Sequence, residues 1–152
     1  MGKYEGQIYM ESVSAVTATN SVEIGTRRIF NSEAYIYVYN AGNSQISTGF
    51  FGAVSATSGY SVSVSSTSGQ FAVGVCKHAT LTTATYGWLL TAGYVDGVTN
   101  GMASTAIAGN EALQLAADGK VCKGETGPFI GQATKATASA GSSNMYVSIC
   151  GI

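Results

Sequence analysis

Residues 33–46 read EAYIYVYNAGNSQI, with Tyr35, Tyr37 and Tyr39 two apart and Ile36 and Val38 between them. Successive side chains of a β-strand point to opposite faces, so this spacing predicts a strand with three phenol rings along one face. The run stops at Asn-Ala-Gly-Asn, residue types that favour turns. Such a row has two uses. It can be an exposed platform for a sugar or a base, or a wall packed against another sheet or subunit. If Ile36 and Val38 fill the core, the tyrosines are left for a neighbouring subunit, and that is the expectation adopted.

The period of two recurs along most of the chain. YSVSVSS from Tyr60, FAVGV from Phe71, GWLLTAGYV from Gly87 and MYVSI from Met145 all alternate and are rich in Val, Ile, Tyr and Thr. Turn signals separate them, including Asp-Gly at Asp96 and Asp118, each expected to close a hairpin. NEALQLAAD, residues 110–118, has helical propensity, but it also alternates and lies between Gly109 and Gly119, so a strand is expected. Short strands with Gly-rich turns predict an all-β fold, a compact barrel or sandwich of short antiparallel strands with little or no helix. Residues 21–152 form one barrel domain in this reading. Residues 1–20 are polar with scattered Tyr4, Ile8 and Tyr9, and read as an arm or a first edge strand. No tandem repeat of about 20 to 50 residues is evident.

Only 10% of the 152 residues are charged, against about 25% in a typical soluble domain. Seven Lys and Arg against eight Asp and Glu leave a net charge of −1. Nucleic acid and anionic membrane surfaces both demand clustered cations, so neither is an expected partner. A chain this sparsely charged tends to self-associate, which points to a surface partly occupied by partners. The N-terminus shows no apolar signal region and no run of about 20 apolar residues occurs, so synthesis and use in a cytoplasm, or release without secretion, is expected.

Catalytic signatures are absent from the sequence, and the protein is expected not to be an enzyme. His78 is the single histidine and reads as a surface-loop residue. Cys76, Cys122 and Cys150 are widely spaced and read as small buried apolar residues in a reducing compartment. Only Cys76 and His78 have close ligand spacing, so no zinc or other cofactor is expected. Arg27 and Arg28 form the one basic doublet. Read as chemistry they clamp a carboxylate on a partner protein; read plainly they are outward and rim residues of a strand. A base-stacking platform needs a cationic groove that the tyrosine segment lacks, whereas tyrosine is enriched at protein interfaces. Interface candidates are therefore Tyr4, Ile8, Tyr9, Arg27, Arg28, Tyr35, Tyr37 and Tyr39.

Taken in order, VEIGTRRIFNSEAYIYVYNAGNSQISTG, FAVGVC, YGWLLTAGYVDGV, IAGNEALQLAADGKV and FIGQATKATASAGSSNMYVSI resemble the small capsid decoration, or cement, proteins of tailed double-stranded DNA phages. The resemblance spans residues 22–152. It implies a compact β-barrel of the β-tulip type, commonly trimeric, bound to the major capsid protein on the outside of the head. Its implied role is to lock neighbouring capsomers. A carbohydrate-binding or adhesin-like sandwich using Tyr35, Tyr37 and Tyr39 is the competing expectation.

Overall fold

A computed structural model of the chain describes residues 12–55, 60–64, 70–102 and 105–149. Eleven strands follow in order: β1 Val16–Thr17, β2 Arg27–Phe30, β3 Glu33–Asn40, β4 Phe51–Val54, β5 Ser61–Val64, β6 Ala72–Val75, β7 Tyr86–Thr99, β8 Ala112–Leu115, β9 Val121–Lys123, β10 Phe129–Ala133 and β11 Ser142–Ser148. The fold is all-β. One 3-10 turn, Ala117–Gly119, is the single helical element among the described residues.

The first half closes on itself. β3 pairs with β5, β5 with β4, β4 with β6, β6 with β7, and β7 returns to β3, giving a closed five-stranded barrel. All these pairings are antiparallel except β3–β5, which is parallel. Ile36, Val38, Val62, Val73 and Leu89 share one buried cluster with Ile46, Cys76 and Leu81. Gly52 and Gly74 keep this interior narrow: a Cβ on Gly74 would lie 2.7 Å from the Leu89 Cβ and 2.9 Å from the Leu90 carbonyl oxygen. Backbone and a packed β-carbon cannot yield as a flexible side-chain tip does, so Gly74→Ala is expected to destabilise the barrel by about 2 kcal/mol, read as a lower denaturant midpoint.

The second half repeats the plan, with β7 serving both halves. β7 pairs with β11, β11 with β10, β10 with β8, and β8 with β9, and a parallel bridge between Asn100 and Val121 closes the circuit. The correspondence extends to single hydrogen bonds. Asn40 bridges Val62 in parallel as Asn100 bridges Val121. Ile46 and Leu81 exchange two backbone bonds, as do Ile107 and Thr137. The N–H of Gly49 bonds to Cys76 O, and that of Asn110 to Ala133 O. Register slips beside Gly52 opposite β6 and between Phe129 and Gly131 opposite β8, so each half carries a β-bulge at the same place. Asn100 stands about 60 residues after Asn40, a period longer than the repeats sought in the sequence.

Each half is anchored by its asparagine. Asn40 is fully buried, and its amide nitrogen reaches the carbonyls of Ser44, Leu81 and Thr82 while its oxygen accepts from the Gly42 N–H. Asn100 reaches Thr105 O and Ala138 O and accepts from the Met102 N–H. In both corners the amide ties together loop backbone groups that the strand ladders alone do not join.

The two Asp-Gly pairs behave differently. Asp118 and Gly119 both take positive φ and turn β8 back into β9, as a type I′ turn requires. Asp96 and Gly97 close no hairpin; they lie inside β7. Gly97 has a φ of 74°, and the register against β11 slips between Ser143 and Met145, so the pair forms a bulge. The local chemistry that makes a tight turn also accommodates one extra residue, and the long antiparallel partner β11 decides between them. The stretch 110–118 contains a strand, Ala112–Leu115, followed by the turn.

Candidate functional site

Tyr35 and Tyr37 do not face a neighbouring subunit. They are 1% and 0% exposed, and they sit in one core cluster with Trp88, Leu90, Phe51 and Val13. Ile36 and Val38 fill the barrel, as the alternation requires, yet the other face is buried too. Its cover comes from the polar stretch after residue 12. Val13 joins the cluster, Val22 packs against it, and β1 pairs with the start of β7 at Val16–Gly87 and Thr17–Tyr86. The Tyr37 hydroxyl lies 3.1 Å from Ser21 Oγ and 3.4 Å from Thr17 Oγ1, and the Tyr37 ring tilts against Trp88 with centroids 5.0 Å apart. Tyr39 is half-buried against Tyr86. Burial of two of its three rings leaves Tyr39 alone partly exposed on the row read as a sugar platform. Tyr4, Ile8 and Tyr9 lie outside the described residues.

Tyr35 leads into a cluster of ionisable groups at the rim of the barrel. Its hydroxyl donates to Glu33 Oε2 at 2.7 Å and sits 2.9 Å from His78 Nε2. A phenol has one proton, so toward His78 the oxygen accepts, which assigns the proton of neutral His78 to Nε2. Lys77 forms an ion pair with Glu33 Oε1. His78 is thus exposed but tied in. Burial raises the Glu33 carboxyl, but the hydrogen bonds from Lys77, Tyr35 and the Tyr94 N–H outweigh it and leave the group below its usual value. Burial pushes the Tyr35 phenol up, and the Glu33 hydrogen bond adds to this. Burial lowers His78, and Lys77 lowers it further against an opposing pull from Glu33.

Both shifts act in the same sense on stability. A lowered His78 means that the unfolded chain takes up the proton first as pH falls below about 6.5, so stability declines from there. A lowered Glu33 contributes above its unfolded value and is lost as pH falls through the folded one, which extends the decline below about 4.5. Melting temperature is expected to fall on acidification from pH 7 to 3. His78→Gln should remove the upper part of that slope and Glu33→Gln the lower part; an unchanged slope in both would contradict the assignment.

The remaining cysteine and metal readings concern buried groups. Cys76 and Cys122 are buried free thiols, and burial pushes Cys76 up to about 11. Among the described residues no three His, Cys, Asp or Glu side chains converge to hold a metal. Cys150 lies outside the described residues.

Arg27 and Arg28 lie on β2, which pairs with β3 alone among the described strands. Arg28 stacks over Phe30 at 5.1 Å and over Trp88 at 5.9 Å. Arg27 and Ile29 are exposed, Ile29 at 80%. The Tyr37 N–H bonds to Thr26 O, and antiparallel alternation from that bond turns the backbone groups of Arg27 and Ile29 away from β3. A groove of about 450 Å³ crosses the sheet on the β3 side of β2, lined by Arg27, Ile29, Ala34, Ala92 and Ser148 among others. Register sets the last four side by side: Ile29 pairs with Ala34, Ala34 with Ala92, and Ala92 with Ser148. Two positions along β7 and β11 stand Tyr94 and Tyr146, edge to face at 5.4 Å, with Tyr146 59% exposed.

The doublet was legible in the sequence, whereas Ile29, Ala92, Ser148 and Tyr146 were not singled out. Alternation sets Tyr146 and Ser148 on one face of β11 without showing that this face is exposed, and Ile29 is exposed on β2, which pairs with β3 alone among the described strands.

No known protein family matches the chain, and no curated protein sequence matches it. In fold it is similar to the N base of the head fiber protein gp8.5 of bacteriophage phi29. The TM-score is 0.51 at 12% sequence identity, and the match covers 78% of this chain and 98% of that one. At that identity the likeness speaks for the fold.

Proposed function

We propose that the chain is a non-catalytic structural protein of a tailed-phage virion. In this reading it seats on the outside of the head as a decoration or cement protein, bridges neighbouring capsomers of the major capsid protein, and assembles as a homotrimer. The observation that carries the reading is the shared fold with a head-fiber base over nearly the whole of that base. Two further features support it. The surface of 7909 Å² carries few charges, which suits a part that works against other protein surfaces. Burial of Tyr35 and Tyr37 argues against the carbohydrate-binding alternative.

Phage heads assembled without the protein provide the test. Purified protein added to such heads is expected to co-sediment and saturate at a fixed copy number, with added density outside the shell in electron micrographs. Light scattering should give three times the 15.5 kDa chain mass. A protein that never sediments with heads at any concentration contradicts the capsid role, and a stable monomer contradicts the trimer.

A further inference from the structure

We propose that Asn100–Gly101 is a site of spontaneous covalent modification that the folded corner holds shut, so that a chain whose second half opens is converted into a form that cannot close again. This goes beyond the capsid reading and does not depend on it.

Asn100 and Gly101 form the one Asn-Gly step in the chain. Such a step is labile in an open chain, because glycine has no β-carbon to keep its nitrogen from the asparagine side chain. The Gly101 nitrogen bonds to Asn100 Cγ, its proton goes to the departing side-chain nitrogen, and ammonia leaves. Water then opens the cyclic imide at either carbonyl, giving aspartate or its β-linked isomer. Water is the sole co-reactant.

In the folded corner both reacting groups are engaged. Asn100 is 2% exposed, and its amide nitrogen donates to Thr105 O at 2.8 Å and Ala138 O at 3.4 Å while its oxygen accepts from the Met102 N–H at 2.9 Å. The Gly101 N–H donates to Val121 O at 2.7 Å. Attack requires that N–H to be released and the side chain to turn from its carbonyls, so the reaction waits on opening of the corner. The product does not fit back. A carboxylate has no proton for Thr105 O and Ala138 O and brings charge to a buried place. The β-linked isomer also lengthens the main chain at the residue that bridges Val121 and closes the second half.

The duplicated plan contains its own control. The Ala41 N–H donates to Val62 O as that of Gly101 does to Val121 O, and the N–H groups of Asn40 and Asn100 go to Thr85 O and Gly141 O. Asn40 is anchored in the same way but is followed by alanine, so the labile step is confined to the second half. Packing explains the glycine at 101. A Cβ there would lie 3.0 Å from the Ala116 Cβ and 3.1 Å from the Lys120 Cβ.

The test incubates full-length protein in mildly alkaline water enriched in heavy oxygen, which marks each new carboxylate, with and without concentrated guanidinium chloride. Peptide mass spectrometry reads the label at each asparagine. In denaturant, Asn100 is expected to gain label at least about tenfold faster than Asn40, and at least about tenfold faster than Asn100 in the folded protein. After dilution from denaturant, label at Asn100 should be depleted in the refolded fraction and enriched in the fraction that stays unfolded. Ala41→Gly, which removes one exposed methyl, should bring labelling of Asn40 in denaturant up to that of Asn100. Equal labelling of Asn100 with and without denaturant would overturn the protection. Equal labelling of Asn40 and Asn100 in denaturant would overturn the site, and equal label in the refolded and unfolded fractions would overturn the loss of refolding.

Discussion

Tyr37→Ala is expected to lower stability by about 4 kcal/mol, the largest loss of any single truncation considered for this chain. Tyr37 is fully buried between Trp88 and Tyr86 on one side and the segment from Val13 to Val22 on the other. Removing the ring leaves a cavity in a wall that neighbouring strands hold rigid, so little of the volume is recovered by relaxation. For a domain of this length the change corresponds to a melting temperature lower by roughly 8 to 16 °C. Tyr37→Phe keeps the packing and loses only the contacts to Ser21 and Thr17, so about 1 kcal/mol is expected. The measurement also separates the observed packing from the subunit wall first expected of these tyrosines. A ring buried within its own chain costs stability at every protein concentration. A ring at a subunit contact would instead make the loss depend on concentration.

Asn40→Ala is expected to cost about 3 kcal/mol, and Asn100→Ala about 2 kcal/mol. The alanine at position 40 takes the amide from the Ser44 carbonyl and the acceptor from the Gly42 N–H, while Leu81 O keeps the Ile46 N–H and Thr82 O the Thr85 hydroxyl. The side chain contributes little by its own burial; the effect is the desolvation of the groups it satisfied. Asn100 serves a shorter set, with one of its bonds at 3.4 Å, so its loss is smaller. Asp in place of Asn40 should not rescue the fold, because an ionised carboxylate accepts the Gly42 N–H but has no proton for three carbonyls. Chemical denaturation of the three variants ranks them directly. Equal stability of wild type and Asn40→Ala would mean that the corner is held by its strands alone.

Much of the fold was legible because its signal is local. Alternation over residues 33–40 and 86–95, β-branched and aromatic composition, and the Asp118–Gly119 turn each depend on neighbours in the chain. The candidate site was legible in part. Arg27 and Arg28 stood out as a basic doublet, but the groove they line also needs β7 and β11, more than sixty residues away. The duplicated plan was hidden for a related reason. Its two copies share hydrogen bonds and bulge positions, and backbone geometry tolerates almost any small or apolar side chain that keeps the pattern, so Leu81 and Thr137 occupy the same place.

Taken alone, the amino-acid sequence determined that the chain is made of strands, that Ile36 and Val38 lie on the face opposite Tyr35 and Tyr37, and that the surface is poor in charge. It did not determine which face of β3 meets water, because period-two alternation distinguishes two faces without saying what covers either. Tertiary structure decided that by laying a polar, weakly patterned segment over the tyrosines. It also turned Asp96 and Gly97 into a bulge by running β11 along the whole second half of β7. In both cases the deciding contacts come from residues far apart in the chain, and their energy is absent from any local stretch of it.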